Sequence, residues 1–479
     1  MARLINFLLT PLFVNKFAPS VYGIFTNMYS WAAMIQAVLA FGMETTFFRF
    51  LQKHDHDRAQ VNNNSFTIIL FTTTLFLITT HLFSAQIATW LNNGSYSSDY
   101  NLYVRYFAWI LAADALAVIP FARLRAEGRP FRFALLKLVN ILTFIGSNLF
   151  FIVAIPWLIQ QGGAYPAYFA SWYREEWVGY VFLSTLIASG LTLLLLLPEM
   201  AKLRPRLDRK LAADMLSYSL PVLIANISFI INEHIDKIMI PKLLPGEAGD
   251  RDLGIYGAVS KIAVFLSIAV QAFRLGAEPF FFSYSKNANA RQTYALIMDY
   301  FVIAVVLVMV GITANIEWLK YFIKGGSPEE QAQYWSGLHI IPILLLNYVL
   351  LGIYMNLSIW YKLTDQTRFG LYISGIGAAV TIVLNIVLIP RYSYVGAVWV
   401  TAIAYAAMVA TSYLWGQQRY PIPYHVGKNG VYIAVGIAIC WLAFDVFDRH
   451  IIIGNLLFVG FALTTGLIER KKLMAMLRK

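Results

Sequence analysis

One motif occurs twice in this sequence, first from Tyr22-Gly23-Ile24-Phe25 to Gly42-Met43-Glu44 and again from Leu253-Gly254-Ile255-Tyr256 to Gly276-Ala277-Glu278. Each copy begins with a glycine near its start, continues through an apolar segment, and ends with Gly-x-Glu before a cluster of aromatic residues. The two copies are offset by roughly 230 residues, and a repeat of that length predicts two similar lobes. Paired lobes are a common plan among membrane transporters.

The composition indicates a protein embedded in lipid. Hydrophobic residues make up 59% of the 479 positions and charged residues only 13%, whereas soluble domains carry about 25% charged residues. Aromatic residues reach 15%, which suits the belts that tryptophan and tyrosine form at membrane interfaces. The single cysteine, Cys440, excludes an internal disulfide and a metal site built from several cysteines.

Long apolar runs predict the membrane-spanning helices. A run of about 20 apolar residues is long enough to cross a bilayer, and the sequence contains about fourteen such runs. The predicted spans are 3–18, 24–48, 66–91, 103–123, 133–158, 178–198, 217–241, 254–280, 294–318, 337–360, 369–389, 394–416, 430–447 and 451–468. The first span is short, so the chain is expected to begin within a longer first helix.

Basic residues alternate between the loops that connect these spans. If the N-terminus is cytoplasmic, the inner loops hold most of the lysines and arginines, Arg125 and Lys137 among them, and the outer loop 92–101 holds none. The positive-inside rule then predicts that both termini are cytoplasmic. The formal charge of +12 is therefore interpreted as a property of cytoplasmic loops, and no nucleic-acid partner is expected.

The longest inner basic segment, 201–216, follows the sixth span and is predicted to link the two lobes. The N-terminal lobe would be 1–200, with spans one to six, and the C-terminal lobe 217–416, with spans seven to twelve. Six spans return the chain to its starting side, so the lobes are expected to repeat in the same orientation. Spans thirteen and fourteen, 430–468, would be accessory helices, and 469–479 a basic cytoplasmic tail.

Four short motifs follow one another in an order that suggests a family. They are Tyr22-Gly23 … Gly42-Met43-Glu44-Thr45-Thr46-Phe47-Phe48-Arg49-Phe50, Ser219-Leu220-Pro221, Asp236-Lys237 and Gly254-Ile255-Tyr256 … Glu278-Pro279-Phe280. With these motifs the chain resembles, over nearly its whole length, the polysaccharide-biosynthesis (Wzx-like) flippases of the multidrug/oligosaccharidyl-lipid/polysaccharide exporter superfamily.

This resemblance implies an all-α polytopic fold of two six-helix lobes around a central cavity, with two accessory C-terminal helices. It implies a protein that is not an enzyme and that flips polyprenyl-diphosphate-linked oligosaccharide across the bacterial cytoplasmic membrane by alternating access, for polysaccharides such as O-antigen or capsule. The expected partners are the lipid-linked glycan, membrane lipids, and polysaccharide polymerase or glycosyltransferase machinery. No cofactor is expected, and the coupling ion is left open between H⁺ and Na⁺.

Ionisable residues at membrane depth are costly, and they usually face a cavity or a partner. A diphosphate headgroup needs cations, and the candidates for substrate binding at membrane depth are Lys261, Arg274, Arg49, Asp236 and Lys237. An ion pair between Lys261 and Asp236 would explain both residues equally well. Arg49 could instead be an interfacial anchor. Lys237 also lies four residues after Glu233 on one helix, a spacing at which the two side chains could pair.

Three acidic residues, Asp114, Glu44 and Glu278, are candidates for proton or cation coupling. Asp114 lies in the middle of its predicted helix with no neighbouring base in that helix, and a hydrogen-bonded packing role is the alternative. Arg274 and Glu278 lie four residues apart and are predicted to form an ion pair. The alternative is that Arg274 meets the phosphate as it enters from the cytoplasmic leaflet.

Three other functions are alternatives to the flipping of lipid-linked oligosaccharide. A lipid II flippase is close to the leading hypothesis, and a drug/cation antiporter of the same superfamily is less favoured because Lys261 and Arg274 would repel its cationic substrates. An integral-membrane glycosyltransferase or polymerase would need a large outer loop with catalytic groups, and the outer loops here are short. The sequence has no Gly-rich phosphate loop followed by Lys-Ser or Lys-Thr, so ATP is not expected to drive transport.

Overall fold

The computed structural model describes residues 7–53, 57–161, 164–244 and 246–477, and every regular element within these ranges is helical. The helices divide between two compact units. The first unit holds residues 7–9 and Lys16–Arg251, and the second holds Thr10–Asn15 and residues 252–477.

Helix α4 lies at the centre of the first unit. The main helices there are α1 (Pro19–Ala40), α2 (Met43–Lys53), α3 (Arg58–Leu82), α4 (Ser98–Ala126), α5 (Pro130–Leu149), α6 (Gly179–Met200) and α7 (Arg209–Leu243). Helix α4 packs against α1, α2, α3, α5 and α6. It carries the buried alanines Ala112, Ala113, Ala115 and Ala117, and such small residues let neighbouring helices approach closely.

The second unit is organised around α9 and α10. Its main helices are α8 (Glu247–Tyr284), whose first turn belongs to the first unit, α9 (Ala290–Ala314), α10 (Ile341–Leu357), α11 (Arg368–Arg419), α12 (Val426–Trp441) and α13 (Ile451–Leu477). Helix α9 packs against α10, α12 and α13, and α10 packs against α11 and α12. The short helix Ile359–Leu363 follows α10.

In the described part of the chain, twelve helices are long and apolar enough to cross a membrane. The predicted all-α polytopic membrane class is thereby confirmed. The predicted number of fourteen spans is not confirmed. Two predicted spans, 369–389 and 394–416, lie in the single element α11, which is interrupted only at Ser393 (φ 50°, ψ −139°). The first predicted span, 3–18, lies partly outside the described residues, and the short helix Thr10–Lys16 covers part of its remainder.

The two copies of the repeated motif differ in their backbone. In the first copy, α1 ends at Phe41 (φ 49°) and Gly42 (φ 62°), and α2 starts at Met43. A positive φ favours glycine, which explains why this turn carries Gly42. The hydroxyl of Ser219 in α7 donates a hydrogen bond to the carbonyl oxygen of Phe41 and holds the turn. In the second copy Gly276 lies inside the continuous helix α8.

The boundary between the compact units differs from the predicted linker. The chain passes from the first unit to the second at Arg251–Asp252, whereas the basic segment 201–216 is the predicted linker between the lobes. The reason is the packing of α7, which lies against α1, α2 and α3 of the first unit. Asn64 of α3 also receives a hydrogen bond from the Asp208 N–H at the start of α7 (2.8 Å).

A buried charge network fixes the accessory helices to the second unit. Asp299 of α9 and Glu469 of α13 are almost fully buried, and Lys428 of α12 lies between them, with its Nζ 3.5 Å from Asp299 Oδ2 and 2.7 Å from Glu469 Oε1. His425 Nδ1 lies 2.8 Å from Asp299 Oδ2, and the Tyr432 hydroxyl donates to Glu469 (3.1 Å). Buried carboxylates need such partners, so the network links α12 and α13 to α9.

Candidate functional site

The first unit contains a polar cavity with a volume of about 560 Å³. Helices α1, α2, α4, α5 and α6 contribute its walls. The lining residues include Tyr29, Gln36, Glu44, Asp114, Phe121, Arg125, Phe133, Lys137, Asn140, Phe144, Thr185, Ser189 and Thr192. A space of this size with several convergent polar groups matches the usual form of a small-ligand site.

One ion pair lies at the edge of this cavity. Glu44, at the start of α2, pairs with Arg125 near the end of α4. The Arg125 guanidinium also lies over the rings of Phe48 (5.1 Å) and Phe133 (5.5 Å). Cation–π contacts with two rings orient the guanidinium. The predicted coupling residue Glu44 is therefore held by an arginine that sequence inspection had assigned to a loop.

Lys137 and Asp114 give the cavity its remaining charges. The Lys137 ammonium lies 4.1 Å from the centroid of the Phe121 ring, and no acidic residue of the described chain forms an ion pair with it. Asp114 lies among the buried alanines in the middle of α4. Its side chain is exposed to the cavity and interacts electrostatically with Lys137. Opposite charges thus line one space without forming a close pair.

Neutral polar groups complete the lining. The hydroxyls of Tyr29 and Thr185 lie 2.6 Å apart, and the Asn140 amide donates to the Thr192 hydroxyl (2.9 Å). The Oε1 atom of Gln36 is buried without a hydrogen-bond partner among the described residues. A buried acceptor without a partner costs free energy, so a ligand or water that donates a hydrogen bond to Gln36 would be stabilised.

The second unit contains a much narrower pocket, of about 20 Å³, near the end of α8. Arg274, Glu278 and Lys362 line it, and Lys362 Nζ donates to Glu278 Oε1 at 2.8 Å. The predicted pairing of Arg274 with Glu278 is therefore wrong. Lys362, on the short helix after α10, reaches the carboxylate instead, and Arg274 Nε is buried with no hydrogen-bond partner in the described chain.

The pair Asp236 and Lys237 lies in α7 and belongs to the first unit. Asp236 is 2% exposed, and the Lys237 ammonium contacts its carboxylate (3.1 and 3.2 Å) and the carbonyl oxygen of Glu233 (2.9 Å). Asp236 therefore has a partner in its own neighbour. The Asn27 amide also donates to the Lys237 carbonyl oxygen (3.1 Å), which ties α1 to α7.

The remaining candidates occupy different surroundings. Lys261 is half-buried in α8. Arg49 of α2 is exposed, and its guanidinium lies 4.3 Å from the centre of the Tyr218 ring in α7. The Arg49 guanidinium thus stacks on an aromatic ring of the neighbouring helix α7.

Sequence inspection missed Lys137, Arg125 and Asn140 as lining residues because Lys137 and Arg125 had been counted among inner-loop bases. The sequence nevertheless contained a pattern that could have identified Lys137 and Asn140. Phe133, Lys137, Asn140 and Phe144 recur at intervals of three and four residues, which is the spacing of one helix face. That face of α5 is the one that lines the cavity.

Comparisons with known proteins agree with this architecture. The family model described as polysaccharide biosynthesis protein matches residues 1–285, and the model named MatE matches residues 221–387. No curated protein sequence gave a significant match.

Three solved structures illustrate the fold. The lipid II flippase MurJ, in an inward closed conformation, has a TM-score of 0.71 at 14% identity, over 98% of this chain and 97% of that chain. An inward-facing multidrug resistance MATE family transporter of the MOP superfamily has a TM-score of 0.67 at 15% identity, over 87% and 94%. A MOP superfamily transporter from Pyrococcus furiosus has a TM-score of 0.55 at 16% identity, over 87% and 91%.

The polysaccharide biosynthesis model covers residues 1–285, which is more than half of the 479 residues. The fold is shared with transporters of the MOP superfamily along almost the whole chain. The protein is therefore a polytopic membrane protein with a transporter fold, and it belongs to the polysaccharide biosynthesis protein family.

Proposed function

We propose that the protein is a non-enzymatic flippase that moves polyprenyl-diphosphate-linked oligosaccharide across a bacterial cytoplasmic membrane by alternating access. The observation that carries this proposal is the cavity of the first unit, where two bases, two acids and several amides and hydroxyls line about 560 Å³ inside an apolar helical bundle. Polar groups at membrane depth are costly unless they serve a substrate or a partner.

The side chains that line the cavity can bind the diphosphate and the sugars of such a substrate. Lys137 and Arg125 can bind phosphate oxygens through charge-assisted hydrogen bonds, which are stronger than neutral ones. Gln36, Asn140 and Tyr29 provide the amide and hydroxyl groups that bind sugar hydroxyls. The prenyl chain needs no polar partner and would remain in contact with lipid or with the apolar helix faces.

The predicted substrate-site residues of both units have roles within this proposal. Lys261 and Arg274 would contact phosphate in the second unit. Arg49 would anchor α2 at the interface, and the Asp236–Lys237 pair would hold α7 near the substrate path. None of these roles requires a cofactor.

The acidic candidates would take part in coupling. Asp114 is the leading site for H⁺ or Na⁺, because it is an acid exposed to a cavity that also contains an unpaired base. Glu44 and Glu278 would act by exchanging ion-pair partners. Glu44 already pairs with Arg125, and Glu278 already pairs with Lys362. A phosphate that binds those bases would compete with the carboxylates.

In this proposal both termini are cytoplasmic, as the charge alternation of the loops predicts. The glycan would be delivered by glycosyltransferases on the cytoplasmic side and consumed by a polymerase on the other. A drug/cation antiporter is the second candidate, favoured by the acidic Asp114 in the cavity and by the MatE match. The two bases in the same lining oppose it, since they would repel a cation.

Substitution of Lys261 or Arg274 by alanine tests the phosphate contacts of the second unit. In vesicles containing the purified protein, each variant is expected to flip a diphosphate-linked glycan more slowly by a factor of roughly ten or more, because a hydrogen bond to a charged group is worth about 1.5–3 kcal/mol. Lys324→Ala, which removes an exposed base of the same unit, is the matched control and should retain the wild-type rate. Unchanged transport in both variants would remove Lys261 and Arg274 from the phosphate site.

A further inference from the structure

Three basic side chains surround one buried carboxylate at one end of the first unit. Glu199, in the last turn of α6, is 3% exposed at its side chain, and it lies 2.9 Å from Arg132 Nε, 3.3 Å from Arg129 Nη1 and 3.3 Å from Lys202 Nζ. The three bases keep 37%, 37% and 54% of their side-chain surface exposed. We refer to these four residues as the Glu199 cluster.

The cluster carries an excess of positive charge. Three bases meet one acid, and the other nearby carboxylate, Glu127, lies closer to Arg123 (2.5 Å) than to Arg129 (3.8 Å). The Glu199 cluster therefore has a net charge of +2. Because the buried carboxylate holds the three bases in place, their remaining N–H groups are already arranged for a second anion, and less side-chain entropy is lost on binding.

The packing beneath the cluster makes this arrangement rigid. Leu124 of α4, Leu136 of α5 and Leu196 of α6 are buried against one another. The turn between α4 and α5 is closed by a main-chain hydrogen bond from Arg129 to Leu124 (2.9 Å). The ends of α4, α5 and α6 next to the cluster thus form one packed layer.

The cluster also continues into the lining of the cavity. Arg132 and Lys137 are separated by five residues of α5, or roughly 7.5 Å of helix rise. Thr192, which lines the cavity, and Glu199 are seven residues apart and share one face of α6. Arg125, a lining residue, lies four residues before Arg129. Basic groups therefore extend from the exposed end of the unit to the cavity.

We propose that the Glu199 cluster binds the diphosphate group of the lipid-linked glycan before that group reaches the cavity, an inference that rests on the proposed function. A diphosphate carries at least two negative charges, which match the excess of two on the cluster. The planar guanidinium groups of Arg129 and Arg132 can each hold two phosphate oxygens. From there the anion passes to Arg125 and then to Lys137, exchanging one base for the next.

A local chemical measurement tests this site without interference from other phosphate contacts. The purified full chain in lipid nanodiscs is treated with phenylglyoxal, which modifies arginine, with and without geranyl diphosphate, and modification is quantified at each arginine by peptide mass spectrometry. Geranyl diphosphate is expected to slow modification of Arg129 and Arg132 at least fivefold. Arg206, an exposed arginine of the adjoining segment, should be modified at an unchanged rate.

Two results of this measurement would overturn the proposal. One is the absence of protection at Arg129 and Arg132, and the other is equal protection at Arg206, which would indicate simple charge screening. A separate arm replaces the probe with cardiolipin in the nanodisc. If cardiolipin protects the two arginines and geranyl diphosphate does not, the cluster is a phospholipid site and the proposal fails.

A transport measurement separates this proposal from the general function. The double variant Arg129→Gln/Arg132→Gln should raise the glycan concentration for half-maximal flipping about tenfold, while Arg206→Gln leaves it unchanged. Should the double variant fold poorly because Glu199 loses its partners, adding Glu199→Gln removes the buried charge as well. A wild-type protein that flips no glycan but shows the arginine protection would refute the proposed function and leave the anion site in place. Normal half-maximal concentrations in a folded variant would refute the site alone.

Discussion

Replacement of Lys137 by alanine is expected to slow glycan flipping roughly 10- to 100-fold, the loss expected when hydrogen bonds worth about 1.5–3 kcal/mol to a charged group disappear. Lys137 is the base in the cavity of the first unit that no acidic residue of the described chain neutralises by an ion pair. Its charge is therefore available to a phosphate, whereas Arg125 must first leave Glu44. The measurement is the initial rate of flipping in vesicles reconstituted with equal amounts of protein.

Two further variants make this prediction specific. Lys137→Arg keeps the charge and should retain much of the rate. Arg105→Ala removes an exposed base from α4 of the same unit and should have little effect, which controls for the loss of one positive charge. A wild-type rate in Lys137→Ala would show that the cavity of the first unit does not contact the phosphate.

Replacement of Gly23 by alanine is expected to destabilise the first unit by about 3 kcal/mol, at the upper end of the cost of overpacking. A Cβ atom at Gly23 would lie 1.8 Å from the carbonyl oxygen and 2.6 Å from the carbonyl carbon of Asp250. Main-chain atoms cannot rotate away as a side chain can, so α1 and the first turn of α8 would have to separate. Thermal unfolding of the purified protein, followed by the fraction that remains monodisperse after heating, measures the effect.

Gly146→Ala is the matched control for this prediction. Gly146 also lies inside a helix of the first unit, but a Cβ atom there meets no atom within 4 Å. Alanine has a higher helix propensity than glycine, so this substitution should be neutral or slightly stabilising. If Gly23→Ala unfolds at the same temperature as Gly146→Ala, the close approach of the two main chains does not exist in the protein.

The sequence predicted the helical class well, because apolar length is a strong signal in a chain with 13% charged residues. It did not predict the different backbones of the two motif copies. Gly42 and Gly276 occupy equivalent positions in the repeat, but only Gly42 adopts a positive φ, at a turn that Ser219 of a distant helix holds. A tertiary hydrogen bond of this kind leaves no trace in the local sequence.

Pairing of charges was the least predictable feature. The spacing of Arg274 and Glu278 allowed a pair within one helix, but Lys362, 84 residues from Glu278 in the sequence, forms it instead. The same applies to Glu44, whose partner Arg125 is 81 residues away. Contacts between helices decide these pairs, and they depend on helix rotations that periodicity alone does not determine.

The cavity itself could have been predicted in part. Lys137 shares a face of α5 with Phe133 and Asn140, and that pattern was available in the sequence. What the pattern could not show was the partner helix, because α6 meets this face through Thr192 only in the folded unit. The sequence singled out Asp114 as an acid in the middle of a predicted helix, and Asp114 lines the same cavity; its role in coupling stays a prediction.

The most direct test of the central claim compares two substrates in one preparation. Vesicles containing the wild-type protein are given either a fluorescent polyprenyl-diphosphate-linked oligosaccharide or the cationic dye ethidium, and passage of each across the bilayer is followed against protein-free vesicles. We predict that the protein accelerates passage of the glycan at least tenfold and leaves the passage of ethidium unchanged. Acceleration of ethidium with no effect on the glycan would contradict the assignment and indicate a cation exporter.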